Sequence, residues 1–152
     1  MPEKRIIEKA RQDAREGKAA TTQAGEFVRE EMEHIREGKH GARSTKQAIA
    51  IGLSKARRAG VELPPPKQGR TSERTRKQAE RDLSKGKRGG DSKPSAKRSR
   101  AVTNALKKEG RSAASPKALS KQAHSAAQQR KKRGTVTAGT PVKRKSTRRK
   151  SA

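Results

Sequence analysis

Residues 44–66 read STKQAIAIGLSKARRAGVELPPP, and this stretch decides how the chain divides. Ser44 followed by Thr45, Lys46 and Gln47 is a capping box, whose serine oxygen takes up an N–H of the first turn. Ile49, Leu53 and Ala56 recur at helical spacing, and Gly60 stands where a left-handed cap ends a helix. The pattern predicts a helix over 45–59, with Val61 folding back over the last turn. Gly52 carries no side chain inside it, which permits close approach of a neighbour. Pro64, Pro65 and Pro66 then stop all regular structure.

Toward the N-terminus, Val28, Met32 and Ile35 fall at helical spacing with Phe27 widening the stripe, and Gly38 ends it. This predicts a helix over 26–37, acidic on its outer face through Glu26, Glu30, Glu31, Glu33 and Glu37. The two helices form a hairpin joined across 38–43. Ile6, Ile7, Ala10 and Ala14 predict a further helix up to Gly17, only partly docked because alanine supplies little burial. Residues 1–63 are therefore read as a small, mostly α unit, a helical hairpin or three-helix unit. Its size makes stabilisation by a second copy, a homodimer, plausible.

Beyond a Pro-rich linker at 64–74 the composition changes. Residues 1–66 hold 14 basic and 10 acidic residues, whereas residues 67–152 hold 28 and 5. Across the 152 residues, Leu, Ile, Val and Phe number only 16, and the net charge is +27. Such a composition predicts a largely disordered, Lys/Arg-rich tail over 75–152. Within it, Thr75 with Gln78, Ser95, and Ser115 before Pro116 open transient helices at about 76–84, 96–109 and 116–133.

The charge names the partner class, a polyanion. The chain has no Cys, Trp or Tyr, so thiolate metal sites, cysteine nucleophiles and disulfides are excluded. No apolar run approaches the length of a membrane span, and the N-terminus MPEKRIIEKA lacks the apolar stretch of a signal peptide. The expectation is an intracellular protein of the cytoplasm that takes no small-molecule substrate and no cofactor. His34, His40 and His124 lie in polar contexts with no framework for a triad, so the chain is read as no enzyme. Glu30 and His34 stand one helical turn apart, but Glu-rich surface helices are common, and no metal is expected there. The 38–46 loop does not align with a nucleotide-binding P-loop.

Candidate phosphate contacts are Lys39, Arg43 and Lys46, beside a helix N-terminus, and Lys55, Arg57 and Arg58 at the other end of that helix. In the tail the densest clusters are Arg130, Lys131, Lys132 and Arg133, then Lys143, Arg144, Lys145, Arg148, Arg149 and Lys150. With no aromatic platforms for unpaired bases, the natural target is duplex phosphate, DNA before structured RNA. The function expected is duplex DNA binding without sequence preference, with structured RNA or ribosome association as the alternative. A different class of function would have the acidic helix 26–37 dock a basic protein.

The block GEFVREEM at 25–32, followed by HIREGKHGARSTKQAIAIGLSKARRAGVELPPP at 34–66, resembles a family of small, very basic bacterial proteins classed as a domain of unknown function. The likeness continues loosely through TRKQAERDLSKG at 75–86 and KRSRAVTNALKKEGRSAASPKALSKQAHSAA at 97–127. It implies a bacterial origin and a recurrent N-terminal unit, with some relatives labelled DNA-binding, and assigns no functional residues. Ser115-Pro116-Lys117 and Thr140-Pro141-Val142-Lys143 are similar to Ser/Thr-Pro-basic elements of linker-histone tails, and the Lys- and Ala-rich tail resembles those of histone-like bacterial proteins. That likeness implies a nucleoid-associated role.

Overall fold

The computed structural model describes residues 2–89 and 95–138, with side chains as far as 132. Among the described residues every regular element is helical: α1 (Lys4–Arg15), α2 (Ala20–Arg36), α3 (Thr45–Arg58), α4 (Glu73–Arg88), α5 (Ala96–Lys107), a 3₁₀ turn (Ser112–Ala114) and α6 (Pro116–Ala138). None of these helices is long and apolar enough to cross a membrane.

The α2–α3 hairpin is the centre of the molecule. Ser44 caps α3 by accepting the Gln47 N–H at 3.2 Å, and Gln47 Oε1 reaches back to the Arg43 N–H at 2.9 Å. At the far end Gly60 takes φ +98°, its N–H bonds the Arg57 carbonyl, and Val61 N–H bonds the Ala56 carbonyl. Those two bonds complete the predicted cap and return Val61 to the core. Gly52 earns its place through contact: a Cβ there would lie 2.7 Å from Val28 Cα.

Two apolar clusters flank this crossing. Phe27, fully buried, sits among Ile6, Ala10, Ala24, Ala56, Val61 and Leu63. Ile35 and Met32 pack with Ala42, Ala48, Ala113 and Ala114. Burial of a Phe or Ile side chain contributes about 1.5–3 kcal/mol, and alanine lets the helix backbones close to the distance at which such side chains fill the gap.

Four differences from the sequence reading follow. First, α2 begins at Ala20 rather than about 26, because Ala20 and Ala24 continue the face that Phe27 buries. Second, α1 docks: Ile6, Ala10 and Asp13 are buried, and Asp13 accepts from the Lys18 ammonium at 2.8 Å. Third, the predicted outer acidic face of α2 is only partly outside: Glu37 is exposed and Glu26 and Glu33 half-buried, but two of its glutamates turn inward. Glu30 and Glu31 are 1% and 0% exposed.

Fourth, the described part of the 75–152 segment is helical, and much of it packs on the first three helices. The start of α4 lies at Glu73, because Ser72 rather than Thr75 is the cap, its Oγ accepting the Thr75 N–H. Buried Asp82 then fastens α4 to α3, accepting from Ser54 Oγ at 2.6 Å and Arg58 Nε at 2.7 Å. Gly86 lets the backbones meet, since a Cβ there would overlap the Arg57 carbonyl oxygen. Further along, the Arg36 guanidinium donates to the Ala114 carbonyl at 2.9 Å and the Thr45 hydroxyl to Ala113 at 2.7 Å. A segment poor in large apolar residues thus docks through alanine, glycine and one buried carboxylate. Residues 139–152 lie outside the described residues.

Candidate nucleic-acid interface

The six candidate cations of the N-terminal unit divide sharply. Lys55 points inward, its Nζ 2.6 Å from Glu31 Oε2 and 3.9 Å from Glu30 Oε2. Arg57 is buried and donates to the Leu63 carbonyl at 3.1 Å and the Pro64 carbonyl at 3.3 Å, which holds the proline run against α3. Burial lowers the pKa of its guanidinium from the usual arginine value, with nearby Asp82 opposing the shift. Arg58 is half exposed and pairs with Asp82. Lys39 pairs with Glu37 at 2.9 Å and lies 3.8 Å from Glu3; the Glu37 carboxylate raises its pKa. Of these six, Arg43 and Lys46 alone are exposed with no ion pair to another described residue.

The loop before α3 is not an open cradle of amides. Gly41 N–H donates to the Leu106 carbonyl at 2.9 Å and Ala42 N–H to the Gly110 carbonyl at 3.0 Å. A Cβ at Gly41 would overlap the Glu109 carbonyl oxygen. These two loop amides are therefore spent on the turn after α5, and the loop is a docking joint, while the first-turn Gln47 N–H of α3 is taken up by Ser44 Oγ.

The larger cationic surface lies on α5 and α6. Ser95 caps α5 by accepting the Arg98 N–H, and no residue of this helix is buried. Lys97, Arg98, Arg100 and Lys107 are exposed along it with no ion pair among the described residues, as are Lys117 and Lys121 on α6. Arg130, Lys131 and Lys132 are exposed near the end of α6. No Asp or Glu occurs after Glu109 in the chain. The sequence reading passed over the α5 cations because they form no dense run; the signal was a capped helix free of carboxylates. The side chain of Arg133, and all of Lys143, Arg144, Lys145, Arg148, Arg149 and Lys150, lie outside the described residues.

A second constellation is internal. Glu30 Oε1 accepts the Glu3 N–H at 2.6 Å, joining the start of α1 to α2. His34 Nε2 lies 3.4 Å from Glu3 Oε1, and His40 Nε2 lies 3.3 Å from Glu31 Oε1. The two imidazoles stand edge to face with centroids 6.2 Å apart. Arg5 first and His34 second hold the Glu3 carboxyl below its usual pKa. Glu30 Oε2 and both oxygens of Glu31 are buried without a well-directed hydrogen bond. Sequence reasoning set this cluster on the surface, because carboxylates one turn apart on a helix usually face water.

No curated protein and no solved structure matches the chain. Residues 9–68, from the middle of α1 to just past the three prolines, match the family of unknown function DUF6496, the domain-of-unknown-function class that the 25–66 block resembles.

Proposed function

We propose that this protein binds duplex nucleic acid, DNA before structured RNA, through phosphate contacts and without reading base sequence, as a histone-like, nucleoid-associated protein of the bacterial cytoplasm. The observation that carries this reading is the exposed, carboxylate-free cationic surface of α5 and α6, continuous in sequence with a basic C-terminal stretch. Cations on such a surface release condensed counterions when they meet phosphates, which supplies affinity indifferent to sequence. Burial of Phe27, the one aromatic residue, leaves no stacking platform for unpaired bases and favours a duplex over single strands. Arg43 and Lys46 add a smaller positive patch at the start of α3.

The helices of the N-terminal unit serve in this reading as a scaffold that presents the cationic segments. Docking of a basic protein on helix 26–37 has less to rest on, since Glu30 and Glu31 face inward.

The test is charge neutralisation within the full chain. Removing residues 67–152 would also remove Ala113 and Ala114 from the core and so confound affinity with stability. Changing Lys97, Arg98, Arg100, Lys117 and Lys121 to Gln should weaken duplex binding at least about tenfold and flatten its salt dependence. Unchanged affinity in a folded variant would overturn the assignment of α5 and α6.

A further inference from the structure

The cluster of Glu3, Glu30, Glu31, His34, His40 and Lys55 is unlike an ordinary acidic patch in three respects. Glu30 and Glu31 are fully buried side by side, with buried oxygens that lack hydrogen-bond partners. One ammonium, that of Lys55, reaches them from α3. Two buried carboxyl groups with unpartnered oxygens and one ammonium between them are a costly arrangement unless a further cation or a proton joins them.

The histidines show where that charge belongs. His40 Nδ1 lies 3.1 Å from the Gly41 carbonyl, which can only accept, so Nδ1 carries the proton. The opposite ring nitrogen, Nε2, then faces Glu31 Oε1 at 3.3 Å. Imidazole nitrogen and carboxylate oxygen are both metal-ligating donors, and a cation between them would satisfy the two together. The separation is long for a charged hydrogen bond, which closes to about 2.7–2.9 Å. It matches the spacing of neighbouring ligands around a tetrahedral zinc ion, roughly 3.3–3.4 Å for bonds of about 2.0–2.1 Å.

From this geometry we infer that Glu31, His34 and His40 bind a divalent first-row transition-metal ion, Zn²⁺ foremost. One donor atom from each of the three lies within 4.8 Å of the other two, and Glu3 and Glu30 form a second such group with His34. Imidazole with carboxylate, and no thiolate, suits Zn²⁺ and its neighbours rather than Cu⁺, and two nitrogens disfavour Ca²⁺ and Mg²⁺. The remaining contacts are those of a supporting shell: the Gly41 carbonyl orients His40, and Lys55 holds Glu31 Oε2 while Oε1 faces the metal. A groove of about 380 Å³, lined by Gly38, His40, Gly41, Lys107 and Arg111 among others, opens beside His40. The ion would tie α2 to the loop that docks the turn after α5. This site is independent of duplex binding, and its failure would leave that proposal standing.

The experiment uses full-length protein without a histidine tag, stripped with chelator and titrated with Zn²⁺ by calorimetry and with Co²⁺ by visible absorption. The expected result is one equivalent of either metal bound, a raised melting temperature, and a Co²⁺ spectrum of low coordination number. His34→Gln and His40→Gln should each weaken binding at least about tenfold, the loss already typical of partners one shell further out. His124→Gln should leave it unchanged. Should either variant fail to fold, imidazole NMR of the wild-type protein decides: Zn²⁺ must move the His34 and His40 resonances and spare His124. Absence of saturable binding to folded, stripped protein overturns the site, as does binding that follows His124. Two imidazolium rings at neutral pH with no response to Zn²⁺ would show that protons supply the missing charge, and would also overturn it.

Discussion

Lys55 and Glu31 meet across the α2–α3 interface with Nζ 2.6 Å from Oε2, the carboxylate fully buried and the ammonium one-fifth exposed. A cation that the sequence offers to phosphate is thus the inward partner of an interior charge. Lys55→Met removes it and leaves Glu30 and Glu31 facing each other unrelieved. In chelator-treated protein this variant should lose about 3–5 kcal/mol of stability, the usual cost of orphaning a buried charge. Chemical denaturation measures it, and a loss below about 1 kcal/mol would show that the pair is not a stabilising contact.

Two helix-interior glycines should respond with opposite signs. Gly25 in α2 is exposed with nothing within 4 Å of an added Cβ, so Gly25→Ala should stabilise by about 0.5–1 kcal/mol through helix propensity. Gly52 in α3 faces Val28, where the same change forces backbones apart. Gly52→Ala should destabilise by about 1–3 kcal/mol despite the same propensity gain. Thermal melts of the two variants suffice, and equal signs would contradict the described α2–α3 contact.

Docking of α4 rests on Asp82 and on the close approach at Gly86. Asp82→Ala should release the helix while the α1–α3 core persists, since Phe27 and Ile35 are untouched. Amide hydrogen exchange would then speed up across 73–88 and stay slow across 45–58. Simultaneous loss of protection in both segments would mean that α4 is integral to the core.

Much of the hairpin was legible from the chain itself. Ser44, Gly52 and Gly60 each carry a local rule that needs no tertiary information, and each holds in the structure. The starts of α5 and α6 followed from Ser95 and Ser115 in the same way. Three features escaped for physical reasons. Alanine was discounted as a core residue, yet Ala24, Ala48, Ala56 and Ala114 are fully buried, because close-packed helices bury small side chains completely. The joint between 41–42 and 106–110 uses backbone groups, which leave no mark in side-chain pattern. Glu30 and Glu31 have partners 24 or more residues away in sequence, so local periodicity placed them on the outer face, and Asp82, with partners equally distant, drew no reading at all.

The cations divide along the same line. Lys55, Arg57 and Arg58 hold the fold, while Lys97, Arg98, Arg100, Lys107, Lys117 and Lys121 are exposed with no ion pair among the described residues. Neutralising Arg43 and Lys46 together should therefore weaken duplex binding only modestly, about two- to fivefold, against the larger loss from the α5 and α6 series. Filter binding of both variant sets at one salt concentration compares them, and a larger loss from the α3 pair would move the interface to the hairpin.

The most direct measurement is equilibrium binding of the full-length protein to a random duplex of about 30 base pairs across a salt series, with a structured RNA of matched length as competitor. If about eight to ten cations meet phosphates, log affinity should fall against log salt with a slope of roughly −7 to −9, and DNA should be preferred. A slope shallower than about −3, or a clear preference for the RNA, would contradict duplex DNA binding through the cationic helices and the basic C-terminal stretch.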